Sequence, residues 1–146
     1  MFPETHLTEV TRLIQLAIAP VFLLTAIGTL IGALSGRLGR VVDRIRALKE
    51  RMPHLPEEAC REPREEMSIL GRRMKLVYIA ITLAVCSALF VGLLIITAFL
   101  DAFLSVDLSR AVGIVFIAAM LSFVASLGVF LREIFLAVTS AYSPMR

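Results

Sequence analysis

Three stretches of this 146-residue chain contain no Asp, Glu, Lys, Arg or His: residues 13–34, 76–100 and 111–131, of 22, 25 and 21 residues. Soluble domains carry about 25% charged residues spread along the chain; here the figure is 18%, and none of it falls in these blocks. An ordinary soluble domain is therefore excluded. The same absence argues against ion-coupled transport, whose proton relays and substrate sites are marked by ionisable residues within the spans.

Histidine and cysteine are almost as scarce, at two each. His6 and His54 are expected on opposite sides of the membrane, so the only material for a Cys–His arrangement is His54 with Cys60, which nothing orients. In HLPEEAC, residues 54–60, His54, Glu57, Glu58 and Cys60 lack any paired CxxC or HxxxH spacing, so no metal site is expected. Cys60 belongs to a water-exposed loop and Cys86 to an apolar block, so no disulfide is implied. The acids Glu57, Glu58 and Glu62 disfavour a thiolate at Cys60. Phosphate-loop chemistry is excluded because GxxxxGK[ST] is missing, and a loop at Gly28 or Gly32 would leave backbone groups unsatisfied in lipid. No catalytic residue, metal or cofactor is expected, and the chain reads as non-enzymatic.

What is present is apolar. Hydrophobic residues make up 58% of the chain, and the mean hydropathy is +0.87. A helix needs about 20 predominantly apolar residues to cross the hydrocarbon core. The expected fold is thus all-α and integral to the membrane, one membrane domain over 1–146 with spans at about 13–35, 76–100 and 110–131. The first block is read as a span, since it is longer than a signal h-region and its lead-in (Glu4, Glu9, Arg12) is not positive. Eleven of the fifteen Lys and Arg residues lie between Gly36 and Leu76. Short loops rich in Lys and Arg stay in the cytoplasm. The expected orientation puts the N-terminus outside, residues 37–75 inside, the 101–110 turn outside and the C-terminus inside.

The 37–75 segment has a pattern of its own. Leu38, Val41, Ile45, Leu48 and Met52 recur at alternating spacings of three and four, as do Met67, Leu70, Met74 and Val77. Such seams belong to paired helices of the coiled-coil kind. Between them Pro53, Pro56 and Pro63 are expected to break any helix. The reading is a cytoplasmic helical hairpin whose first arm, residues 37–52, projects roughly 24 Å. Arg37, Arg40, Arg44, Arg72 and Arg73 are expected to touch anionic lipid headgroups. Nucleic acid is not an expected partner, because the arm lacks stacking aromatics and interleaves Asp43 and Glu50.

Small residues supply the other signal. Gly28, Gly32 and Gly36 recur every fourth position of GTLIGALSGRLGR, residues 28–40; Ala80, Ala84, Ala88 and Gly92 do so in the second span, and Ala118, Ser122 and Ser126 in the third. Stripes of this kind let helix backbones approach closely in lipid. Gly28 and Gly32 are expected to face a neighbouring helix, in this chain or in another copy. Gly39 lies off the stripe and has no such explanation. Pro20 is expected to kink the first span, and Gln15, Thr25 and Thr29 offer interhelical hydrogen bonds or the lining of a pathway. Arg132 and Glu133 read as a charge pair at the inner interface, with Arg132 reaching headgroups or an acid of the hairpin such as Asp43, and IFLAV (134–138) packing on the hairpin base.

The segments LIQLAIAPVFLLTAIGTLIGALSGRLGRVVDRIRALKE, LGRRMKLVYIAITL and FLREIFLA together resemble a bacterial membrane protein family, catalogued as domain of unknown function 2721, over about residues 13–137. The resemblance implies a bacterial cytoplasmic-membrane protein and assigns no residue a catalytic role. Two functions are compatible with all these features. One is a homo-oligomeric bundle whose hairpin contacts a cytoplasmic partner or anionic lipid. The other is an oligomeric channel or small-solute pathway lined by the first span.

Overall fold

In a computed structural model the chain is described at residues 4–104 and 108–141. Nearly all of the described residues are helical. α1 runs Glu4–Arg51, α2 Arg61–Leu104 and α3 Ser109–Ala141. Their 48, 44 and 33 residues give lengths of about 72, 66 and 50 Å at 1.5 Å per residue. All three are long and apolar enough to cross a membrane. α1 stays helical through Pro20, so the proline does not end it.

The join between α1 and α2 consists of two single 3-10 turns, Met52–His54 and Glu57–Cys60. Pro53 and Pro56 fall here, as a ring that removes a backbone donor and fixes φ requires. Pro63 behaves otherwise: it is the third residue of α2, where the first-turn N–H groups have no intrahelical acceptor to lose. Only two of the three prolines break a helix. Cys60 also differs from the expected solvated thiol. It is buried, with Sγ 3.7 Å from the Met52 carbonyl oxygen and 3.8 Å from that of Leu55, so it fills the inside of the turn as a small apolar residue does.

The chain divides into two compact units, Met1–Leu30 with Ala84–Phe123, and Ile31–Leu83 with Val124–Arg146. In the first, the buried side chains are Ile27 from α1, Ala84, Ser87, Val91, Leu94 and Thr97 from α2, and Ala119 from α3. Ser87 Oγ donates to the Ala119 carbonyl at 2.8 Å, which joins α2 to α3 and leaves neither group unpaired. Asp101 Oδ1 accepts the Leu108 N–H at 2.7 Å, and the Leu108 carbonyl accepts from Val112 N–H at 3.0 Å. Asp101, in the last turn of α2, thus anchors the start of α3.

The second unit holds the hairpin. Val41, Leu48 and Leu70 are buried together, with Ile45, Met67 and Met74 half-buried against them; these six come from the two seams. Nearer the apolar blocks Leu34, Val77 and Ala80 are fully buried, and Ser126 Oγ of α3 donates to the Ala80 carbonyl at 2.7 Å. Burial recurs every seventh residue: Ile27, Leu34, Val41 and Leu48 on α1, Leu70, Val77, Ala84 and Val91 on α2, Ala119, Ser126 and Glu133 on α3. An α-helix holds one face to its neighbours over several turns when its inward positions follow a seven-residue repeat.

Leu70→Ala opens the hairpin cluster and is expected to destabilise the protein by about 2–5 kcal/mol. Its neighbour Ile69 is exposed, and Ile69→Ala is expected within about 0.5 kcal/mol of the parent. Unfolding in detergent followed by circular dichroism checks both; equal losses would contradict the assignment of faces.

Candidate functional site: a buried carboxylate between two arginines

Among the described residues Glu133 is the one charged side chain that is fully buried, at 0% exposure. The seven-residue repeat that buries Ala119 and Ser126 carries it to the inner face of α3. A carboxylate taken out of water is tolerated only when its lone pairs are filled by charged donors. Two helices supply them. Arg37 of α1 donates from Nη1 to Oε2 at 3.1 Å. Arg73 of α2 donates to Oε1 from Nη2 at 2.9 Å and from Nε at 3.2 Å. The Arg37 guanidinium also stands over the Phe130 ring, 5.1 Å from its centre, where the ring face attracts a cation. One acid therefore ties together the three helices of its unit.

The arginines reach it for a reason written twice in the chain. Leu34-x-x-Arg37-x-x-x-Val41 and Leu70-x-x-Arg73-x-x-x-Val77 have the same spacing, and all four apolar residues are buried. Each Arg thus stands three residues after one inward position and four before the next, on the inward face. The side chains remain 34% and 23% exposed, so their outer edges stay accessible while their inner edges hold Glu133.

This arrangement corrects two expectations. Arg132 and Glu133 are not a pair: consecutive residues on a helix point about 100° apart, and Arg132 is exposed while Glu133 is buried. Arg37 and Arg73, expected to spend their charge on lipid, give at least one donor each to Glu133. Of the other arginines, Arg40 and Arg72 are exposed. Arg44 is exposed too, and meets Glu66 through Nε at 2.7 Å and Nη2 at 3.1 Å. The hydrogen bond and then the charge of Glu66 hold the Arg44 guanidinium above its ordinary pKa. Within IFLAV, Ile134 and Ala137 are half-buried but Phe135, Leu136 and Val138 are exposed, so only one side of that turn packs.

The small residues also separate into two sets. On α2, Ala80 and Ala84 are buried and Ala88 and Gly92 half-buried. On α1, Gly28, Gly32 and Gly36 are exposed; a Cβ placed on Gly28 or Gly32 would meet nothing within 4 Å, and Gly39 has the same open surroundings. Among the described residues, then, no side chain or neighbouring backbone lies close over Gly28 or Gly32. The reason is that the large residues of the seven-residue repeat, Ile27 and Leu34, occupy the inward face. Thr25 donates to the Val21 carbonyl at 3.2 Å and Thr29 to the Thr25 carbonyl at 3.0 Å. Both hydroxyls bond within α1 rather than between helices. Gln15 is exposed. Pro20 is half-buried and lines an apolar groove of about 570 Å³ in the first unit together with Leu94, Phe99, Asp101 and Phe116.

The family model described as "Protein of unknown function (DUF2721)" matches residues 17–142. The chain belongs to this family. The match takes in Arg37, Arg73 and Glu133 and all of the hairpin, so the ion cluster lies inside the family region. No curated protein and no solved structure matches the chain.

Breaking a buried ion pair by removing one side costs about 3–5 kcal/mol, because the other charge stays behind uncompensated. The Arg37→Gln, Arg73→Gln double variant strands the carboxylate and is expected to lose that much. Adding Glu133→Gln to the double variant is expected to restore a large part of it, since neutral groups remain. Thermal unfolding in detergent checks the order; a triple variant less stable than the double would refute the carboxylate's role.

Proposed function

We propose that this multi-pass membrane protein is non-enzymatic and acts through its basic hairpin, which contacts anionic lipid or a cytoplasmic partner, with the N-terminus outside and the C-terminus in the cytoplasm of a bacterial cell. The observation that carries this reading is the concentration of positive charge at one end. Eleven of fifteen Lys and Arg residues lie in or beside the hairpin, and only Arg37, Arg44 and Arg73 make ion pairs among the described residues. The Glu133 cluster holds the base of that end, so the remaining charges are presented from an ordered surface. Lys and Arg at this density also hold a loop on the cytoplasmic side.

Copies associate, on this reading, through the outer face of α1. In its most apolar stretch only 11% is buried, and bare glycine surface allows the close approach on which helix association in lipid depends. A second reading, a small-solute pathway, is supported by the outward placement of Gln15, Thr25 and Thr29, which makes any such path one between copies. Flux of ions or neutral solutes from liposomes tests it, and a tight vesicle removes it.

Orientation is read by labelling in a Cys60→Ser, Cys86→Ser background. Glu58→Cys is expected to react with a membrane-impermeant maleimide only after permeabilisation, and Arg110→Cys in intact cells; the reverse pattern overturns the orientation. Association is read by Gly32→Leu. With nothing within 4 Å of the added Cβ, the variant is expected to unfold at the parent's temperature yet lose crosslinked dimer in membranes. Undiminished crosslinking would remove the glycine face as the interface.

A further inference from the structure

Charge at the level of Glu133 does not balance. Residues 28–42, 67–100 and 108–141 contain one carboxylate, Glu133, whereas Arg37, Arg40, Arg72, Arg73, Lys75 and Arg132 all belong to those stretches within its unit; of the two acids just beyond in the hairpin, Glu66 meets Arg44 and Asp43 makes no ion pair among the described residues. Two of these cations share the single acid, so the cluster itself keeps one positive charge in partly desolvated surroundings. Such a charge is stabilised by a second anion at close range.

The place for that anion is on α1. Arg37 spends Nη1 on Glu133 and has further N–H donors in its guanidinium fork. Arg40, one turn on, makes no ion pair among the described residues. It folds back along the helix until its Nη1 is 4.0 Å from where a Cβ on Gly36 would stand. Because Gly36 has no side chain, the two guanidiniums can share one side of the helix, as i,i+3 neighbours do. Exposed Gly36 and Gly32 continue that side toward the apolar block. In the same unit α2 exposes Tyr78 and Ile79 and α3 exposes Phe135 and Leu136. An anion that reaches this place therefore arrives with an apolar tail.

We propose that Arg37 and Arg40 bind the phosphate of a net-anionic phospholipid, whose charge completes the cluster that Glu133 begins. The inference rests on the proposed lipid contact of the basic end and narrows it to one site and one headgroup chemistry. Arg37 holds the phosphate with the part of its fork that Glu133 leaves free, Arg40 closes over it from the headgroup side, and an acyl chain lies on the glycine surface. The remaining cations, Arg72, Lys75 and Arg132, attract the bilayer without forming this site.

The test uses the full chain in nanodiscs of phosphatidylcholine, with and without phosphatidylglycerol, and reads the thermal unfolding midpoint together with lipid retained in native mass spectrometry. Phosphatidylglycerol is expected to raise the midpoint and to be retained as one lipid per chain. Arg40→Gln is expected to cut retention about fivefold, the equivalent of about 1 kcal/mol for one Arg at an anionic surface. Its midpoint in phosphatidylcholine alone is expected to stay at the parent value, since Arg40 is outside the Glu133 pairs. Arg72→Gln and Arg132→Gln are expected to retain the lipid. Equal losses in all three variants would overturn the site in favour of diffuse attraction. Stabilisation by inorganic phosphate in pure phosphatidylcholine would overturn the lipid, and an unchanged Arg40→Gln would overturn the residue. An inverted maleimide pattern would instead remove the orientation on which the inference rests, which separates the two failures.

Discussion

A carboxylate without water is the constraint from which much of the second unit follows. Glu133 is placed inward by the same seven-residue repeat that buries Ala119 and Ser126, and once there it must be met by charged donors. Arg37 and Arg73 meet it from two different helices. That requirement couples the longitudinal position of α3 to those of both hairpin arms, because a slip of one turn moves a side chain by about 5.4 Å, beyond the reach of these bonds. Apolar packing alone tolerates such slips better, since one Leu or Val layer resembles the next. The cluster thus gives the bundle a register that the cluster of Val41, Leu48 and Leu70 does not by itself specify.

Polar groups at the other helix contacts follow the same logic on a smaller scale. Ser87 and Ser126 donate across to carbonyls of a facing helix at 2.8 and 2.7 Å, while Thr25, Thr29, Thr82 and Thr97 donate to carbonyls of their own helix. The difference is positional. The two serines lie on inward faces where a small side chain brings backbones near, and a hydroxyl there finds a foreign carbonyl within reach. Thr25, Thr29 and Thr82 are exposed and find a carbonyl only on their own preceding turn, and buried Thr97 bonds there too.

The three long apolar helices and the paired arms between the first two were legible in the residues because their signals are local: no charge for more than 20 residues, and prolines between two apolar seams. The ion cluster was less so. Adjacency of Arg132 and Glu133 suggests a pair, whereas helix geometry sends neighbours to different faces. The informative pattern was longer in range, the repeated Leu-x-x-Arg-x-x-x-Val of residues 34–41 and 70–77 together with the interval of seven from Ser126 to Glu133. The glycines of α1 illustrate a different limit. Composition marks a face as smooth without saying which face the larger residues claim, and Ile27 and Leu34 claimed the inward one.

Arg37 and Arg73 also bear on the order in which the protein is made. Synthesis runs from the N-terminus, so both arginines and the whole hairpin exist before residue 133 does. Until α3 emerges, the base of the hairpin holds two cations with no acid of their own between them, repelling one another across the facing arms. α3 is therefore a closing element: its arrival changes the mutual repulsion of two arginines into a shared attraction at the base of arms that Val41, Leu48 and Leu70 already hold together.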